Sequence, residues 1–157
     1  MQVCATDLKD LDLAYAPPYS SAKDPVNMAG FMIENIEEGV VRQWYLDQLD
    51  ELQAGVFKPD PAITLLDSRT PGEFARGSIP GFVNIPLDDL RDRIDELDPK
   101  KPVYVICQSG LRSYVACRIL AGNRYEAYNF AGGYRYYETV MHDRALIEAA
   151  HPCGADQ

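Results

Sequence analysis

Four apolar residues, Val103-Tyr104-Val105-Ile106, run straight into Cys107-Gln108-Ser109-Gly110-Leu111-Arg112-Ser113, and a helix-like segment, Ser113 to Leu120, follows at once. This reads as strand, tight loop, helix, and the same alternation recurs along most of the chain. Val41 to Tyr45 reads as a short strand and Leu46 to Gln53 as a helix. Ile63 to Asp67 is a buried strand, Pro71 to Arg76 a short helix, and Phe82 to Asn84 an extended piece. Leu87, Leu90, Ile94 and Leu97 fall at spacings of three and four, an amphipathic stretch. Tyr125 to Asn129 is a further strand and Gly133 to Val140 a further helix. Strands alternating with helices imply an α/β domain: a mostly parallel central sheet flanked by helices on both faces. In such sheets ligands sit outside the carboxyl ends of the strands. Cys107 falls at such an end.

The loop itself carries chemistry. A turn of this shape directs several backbone N–H groups into one small space and forms an anion nest. The following helix N-terminus adds partial positive charge, and Arg112 adds a full one. That field favours the reactive thiolate form of a cysteine, so Cys107 reads as a nucleophile with its anion receptor built in. The competing reading is a small apolar cysteine buried at a strand end.

Residues 65 to 90 add Leu65-Leu66-Asp67-Ser68-Arg69-Thr70-Pro71-Gly72-Glu73-Phe74, then Gly77-Ser78-Ile79-Pro80-Gly81, then Asn84-Ile85-Pro86. This resembles the first signature of the rhodanese family. The cysteine loop resembles that family's active-site loop, and Asn129-Phe130-Ala131-Gly132-Gly133 resembles its late turn. The resemblance covers about residues 41 to 141. It implies a rhodanese-like fold and a sulfurtransferase that carries sulfur on Cys107, with Arg112 ordering the loop and holding anion. Gln108, Ser109, Gly110, Leu111 and Ser113 would then bind substrate. Two positions depart from the family pattern: Ser78 stands where histidine is frequent, and Ser68 where a hydrophobic residue is common. The first puts in doubt whatever orienting hydrogen bonds that histidine would make.

A second resemblance covers the first forty residues. Asp12 to Gly30, with Tyr15-Ala16-Pro17-Pro18-Tyr19 inside it, looks like the end of the dimerisation domain of flavin-dependent pyridine nucleotide-disulfide oxidoreductases. The coenzyme A disulfide reductase and NADH oxidase types are the nearest, and some carry a C-terminal rhodanese domain. The expected organisation is therefore a helical tail over 1–40 and a rhodanese-like domain over 41–157. No G-x-G-x-x-G run occurs. The chain itself is expected to need no cofactor or metal, with FAD and NAD(P)H belonging to the rest of such an enzyme. The expected partners are small sulfur-containing anions or thiol persulfides, coenzyme A-linked ones among them, together with the reductase domain and a second copy of the chain. Within the tail, Asp24-Pro25 reads as helix cap and first residue. Val26, Ala29, Ile33 and Ile36 repeat at helical spacing, and Gly39 is a stop.

Composition narrows the rest. At 157 residues and 46% hydrophobic, one domain with a real core is expected. A net charge of −9 argues against general nucleic-acid binding and gives no overall steering for anions. No apolar stretch reaches membrane-spanning length, and the N-terminus lacks a signal pattern, so a cytoplasmic location is expected. Cys4, Cys107, Cys117 and Cys153 have neither zinc-site nor CxxC spacing.

Other residues carry open alternatives. Asp67 and Arg69, just past a strand end, either face the active loop or form a structural ion pair; the ion pair is favoured. Ser113 either donates to sulfur or caps the helix. Cys117 reads as core rather than as a resolving thiol. His142 and His151 read as surface residues, and Tyr134, Tyr136 and Tyr137 as pocket wall or core. Two other functions stay in view. The C-x-x-x-x-R spacing also suggests phosphatase or arsenate-reductase chemistry, although Ile106 stands where cysteine phosphatases typically carry histidine. A docking or persulfide-carrier module of the reductase is the other.

Overall fold

The computed structural model describes residues 4–13, 24–49 and 62–150. The sequence readings at Tyr15, Tyr19, His151 and Cys153, and the far end of the Leu46–Gln53 helix, lie outside the described residues. The chain forms two compact units, Met1–Arg42 and Gln43–Gln157.

In the first unit, a 3-10 helix at Ala5–Asp10 packs against helix α1 (Pro25–Glu37). Asp24 caps α1, its carboxylate accepting from Val26 N at 2.9 Å, and Gly39 ends it at φ 68°. The inward face differs from the predicted one. Asn27 and Gly30 are buried, whereas Val26 and Ile36 are exposed. The cause is polar. Asn27 Nδ2 donates to the carbonyls of Leu8, Lys9 and Leu11, at the end of the 3-10 helix and just past it. Gly30 has no side chain, and a Cβ there would collide with the Lys9 backbone. Lys9 pairs with Glu34 on the same face.

The second unit is built on a five-stranded sheet. Its strands are β1 (Arg42–Trp44), β2 (Thr64–Asp67), β3 (Val83–Asn84), β4 (Val103–Ile106) and β5 (Ala127–Phe130), in the order β1-β5-β4-β2-β3. The β2–β3, β2–β4 and β4–β5 ladders are parallel. Helices α3 (Pro71–Arg76), α4 (Leu111–Gly122) and α5 (Gly133–Ala150) follow β2, β4 and β5, and residues 46–49 form a helical turn, α2. Alternation along each strand divides the core into two layers. Tyr104, Ile106, Tyr128 and Phe130 point to one face. There they join Trp44, Leu46, Leu49, Ile79 and Phe82, with Phe74 of α3 and Tyr137, Val140 and Met141 of α5 packed alongside. Val103 and Val105, both fully buried, point to the other face, and α4 packs on β4 and β5. The α/β architecture is thus the predicted one.

The Leu87–Leu97 stretch is not a continuous helix. It is a chain of turns with a 3-10 turn at Ile94–Glu96. Asp89 N, Leu90 N and Asp92 N each donate to the carbonyl three residues back. The apolar spacing still marks the inward residues: Leu90 and Leu97 are buried. Asp88, Asp89, Asp92 and Asp95 favour turns over helix interior, because short polar side chains compete for the backbone.

β4 lies at the centre, with β2 on one side and β5 on the other. The chain crosses from the β2–β3 side to the β5 side at this point, so the carboxyl ends of β2 and β4 flank the topological switch.

Phe130 is fully buried, with its ring centroid 4.6 Å from that of Trp44. Phe130→Ala should destabilise the second unit by about 3–5 kcal/mol. Urea unfolding followed by far-UV circular dichroism measures this.

Candidate active site

β4 delivers Cys107 to the carboxyl edge of the sheet, and the loop then turns into α4. Gly110 is the hinge. It adopts φ 102°, a left-handed conformation that glycine accepts without strain, and it is the N-cap of α4. The turn brings two donors to the thiol: Gly110 N at 3.1 Å and Ser113 Oγ at 3.2 Å from Cys107 Sγ. Ser113 is fully buried, so its hydroxyl is held in place. It is not the helix cap; that position is Gly110, and the single hydroxyl hydrogen of Ser113 is shared between Cys107 Sγ and Gly110 O, 3.1 Å away.

The outer side of the loop is fixed by α5. Tyr134 N donates to Cys107 O at 2.7 Å and Arg135 N to Gln108 O at 3.1 Å. These are first-turn N–H groups with no partner inside their own helix. Because the peptide unit is planar and trans, the N–H groups of Gln108 and Ser109 point away from α5. The close approach requires glycine at 133. A Cβ there would sit 2.6 Å from Ser109 N, and its φ is 68°. The late Gly132-Gly133 pair is therefore a seat for the cysteine loop.

Asp67 and Arg69 form the buried ion pair that the sequence favoured. Arg69 Nε lies 3.1 and 3.0 Å from the two Asp67 oxygens, and Nη2 lies 2.7 Å from Oδ2, with both side chains almost wholly buried. The pair also faces the loop. Arg69 donates to Gly77 O at 2.7 Å and to Gln108 Oε1 at 3.5 Å, and its guanidinium lies 3.8 Å from the centre of the Tyr134 ring. Two residues without an assigned role in the sequence reading also belong to the site. Ser68 donates both its N–H and its hydroxyl to Ile106 O, at 2.9 Å each, on the residue just before Cys107. This is the position that departs from the family's hydrophobic residue.

Glu73 is the second. Its carboxylate receives Arg112 Nη1 and Nη2, each at 2.7 Å, in a two-point fork. It also accepts from Thr70 N and Thr70 Oγ1 at 2.9 Å, completing the cap of α3. Arg112, desolvation opposing, and the Thr70 donors hold its carboxyl down at about 2, against an ordinary 4.5. Its sequence signals were its place in the Pro71–Phe74 signature and the capping-box spacing of Thr70 and Glu73; neither marked Arg112 as its partner.

The remaining loop positions are less enclosed. Gln108 is half-buried, while Ser109 and Leu111 are exposed. Cys117 is buried in the core, and desolvation, reinforced by the charge of Cys107, pushes its thiol up to about 12. That fits a core cysteine and not a resolving thiol. Cys4, Cys107 and Cys117 are unpaired. A cleft of about 260 Å³ beside the loop is lined by Arg69, Glu73, Arg76, Gly77, Gln108, Tyr134 and Glu138. A larger one, about 510 Å³, lies between Tyr45, Leu46, Asp47 and the Ala131–Gly132 turn, with Tyr136 and Arg144. Of the three tyrosines, Tyr134 and Tyr136 thus wall clefts and Tyr137 packs on the core. His142 is exposed, as expected. Among the described residues, no group of three or more His, Cys, Asp or Glu is placed to hold a metal ion, and no helix is long and apolar enough to cross a membrane.

Comparison with known proteins agrees with this geometry. Residues 48–139 match the rhodanese-like domain family. The uncharacterized protein YqhL of Bacillus subtilis is 39% identical over 110 residues, 68% of this chain and 84% of that protein. A sulfurtransferase of Allochromatium vinosum is 38% identical over 72 residues, 45% of this chain and 67% of its own. Among solved structures, the reduced CoADR-RHD of Bacillus anthracis is 44% identical with a TM-score of 0.79 over 89% of this chain. An NAD-dependent persulfide reductase from A. fulgidus is 35% identical with a TM-score of 0.64 over 82% of it. This chain spans only 24% and 22% of those two solved chains. The chain belongs to the rhodanese-like family.

Two outcomes follow from the ion pairs. Asp67→Asn leaves a buried guanidinium without its counter-charge and should cost about 3–5 kcal/mol in urea unfolding. The Glu73 carboxyl is held below its unfolded value, so its contribution is complete above pH 4.5 and is lost as pH falls toward about 2. Glu73→Gln should flatten the acid limb of stability in that window.

Proposed function

We propose that this rhodanese-like domain transfers sulfane sulfur through a persulfide on Cys107. The observation that carries the reading is the sulfur's setting: Gly110 N–H and the buried Ser113 hydroxyl both aim at Cys107 Sγ from the carboxyl end of the central strand. Those donors stabilise negative charge on sulfur before and after transfer. The thiolate attacks the outer sulfur of a donor such as thiosulfate or a low-molecular-weight persulfide. A sulfur–sulfur bond forms to Cys107, the donor's own bond to that sulfur breaks, and sulfite or a thiolate leaves with the electron pair. A second thiol, or cyanide, then removes the outer sulfur and returns the Cys107 thiolate. Sulfur and charge balance at each step, and neither step needs an external oxidant.

Family membership and the sulfurtransferase and persulfide-reductase names among similar proteins support the same chemistry. The two-point hold of Glu73 on Arg112 speaks against a phosphatase, in which that arginine would be given to the phosphate. The likeness to much longer solved chains supports a place beside a flavin- and NAD(P)H-dependent reductase that consumes the persulfide or a disulfide product. FAD and NAD(P)H would belong to that other part, since this chain carries no G-x-G-x-x-G run.

Intact mass after brief exposure to thiosulfate or a persulfide tests the reading. Wild type should gain one sulfur atom, removable by cyanide, and Cys107→Ser should gain none. Ser113→Ala should load roughly tenfold more slowly, the loss of one charge-assisted hydrogen bond. Absence of the adduct with every donor, or an equal adduct on Cys107→Ser, would overturn the proposal.

A further inference from the structure

Two of the arginines around the loop are neutralised by a paired carboxylate, while the exposed Arg76 also lines the smaller cleft. Arg69 is committed to Asp67, and Arg112 gives both ends of its fork to Glu73. In and behind the smaller cleft, Arg69, Arg76 and Arg112 stand against Asp67, Glu73 and Glu138. Three positive groups therefore meet three negative ones. The donors observed at the sulfur are neutral: a backbone N–H and a hydroxyl. Such donors hold the single charge of a thiolate or persulfide. A dianion needs a full positive charge, and the arginine on this loop is already engaged. Arg112 nonetheless stands in the first turn of α4 beside Ser113, whose hydroxyl reaches the reacting sulfur. Glu73 is itself fixed by Thr70 N and Oγ1 and stays ionised through the physiological range.

We infer that Glu73 is a specificity-determining positioning residue: by clamping Arg112 it sets the Cys107 site for persulfide donors, which carry at most one negative charge, over dianionic ones such as thiosulfate. This rests on the sulfur-transfer reading above. With a persulfide donor, Cys107–S⁻ attacks the terminal sulfur of R–S–SH, giving Cys107–S–SH and R–S⁻. With thiosulfate the same attack expels sulfite, and the dianionic charge must be held throughout. Arg112 could hold it only by giving up a carboxylate already bound at two points. That exchange is costly, since charge-assisted two-point bonds are among the stronger polar contacts.

The test compares loading rates of Cys107 by thiosulfate and by 2-hydroxyethyl persulfide, read by intact mass. The proteins are wild type, Glu73→Gln, and the double variant Glu73→Gln/Arg112→Gln. Releasing the guanidinium should shift the thiosulfate-to-persulfide ratio about tenfold toward thiosulfate in Glu73→Gln. The double variant, which removes both charges, should return the ratio near wild type. A merely structural Glu73 would slow both donors equally and leave the ratio unmoved, which overturns the inference. A ratio that stays shifted in the double variant also overturns it, because the shift would not run through Arg112. Wild type provides a check that needs no folded variant: 2-hydroxyethyl persulfide should load Cys107 faster than thiosulfate at equal concentration, and thiosulfate loading as fast or faster would overturn the inference. Failure of both donors to load wild type overturns the sulfur-transfer reading itself, and this inference with it.

Discussion

The Asp67 carboxylate holds the Arg69 guanidinium at the end of β2, and four separate parts of the domain meet on that one buried charge. Its remaining contacts reach Gly77 at the exit of α3, Gln108 in the cysteine loop and the face of Tyr134 at the start of α5. Asn84 closes the other side, its amide donating to the carbonyls of Asp67 and Arg69 and tying β3 to the same turn. A buried arginine is tolerated only when its charge and its donors are satisfied. Here, satisfying them aligns the carboxyl ends of the strands. The position of the cysteine loop relative to its neighbours is a consequence of that requirement.

The loop is then held from two sides by unlike forces. On its outer side α5 supplies N–H groups that need acceptors, and the carbonyls of Cys107 and Gln108 provide them. On its inner side the Gly110 N–H and the Ser113 hydroxyl both reach Sγ, the hydroxyl sharing its hydrogen with Gly110 O. Gly110 and Gly133 allow this because each takes a left-handed φ, and Gly133 also has no room for a side chain. Beneath the loop, Ser68 binds the Ile106 carbonyl, so the strand end that carries Cys107 is bonded to its neighbour beyond the ladder as well.

Much of this was legible in the sequence where the signal was local. Strand β4, the turn and α4 lie within twenty residues, and their order placed Cys107 at a carboxyl end. Pro71 to Arg76 matched its helix to the residue because cap, proline and capping glutamate are all adjacent in sequence. The readings that changed were those in which apolar spacing had to decide between alternatives. In α1 the apolar stripe lost to Asn27, which donates to the carbonyls of the neighbouring 3-10 segment, and to Gly30, which lets the Lys9 backbone come close. At Leu87 to Leu97 the spacing correctly named the buried leucines but not the conformation, because consecutive turns bury residues at similar intervals.

The sequence by itself pointed to the α/β class and to the cysteine at the carboxyl end of a strand, and it favoured the Asp67–Arg69 pair. Each depends on residues close along the chain, where propensity and spacing act directly. Only the tertiary structure decided what Arg112 touches. Arg112 and Glu73 are 39 positions apart and meet because β2 and β4 are adjacent in a parallel sheet, so the helices that follow them start side by side. The same adjacency brings Ser68 to the Ile106 carbonyl and Gln108 to Arg69. Charge pairing across a sheet is set by strand order. Strand order is the outcome of packing the whole core, and no local pattern records it.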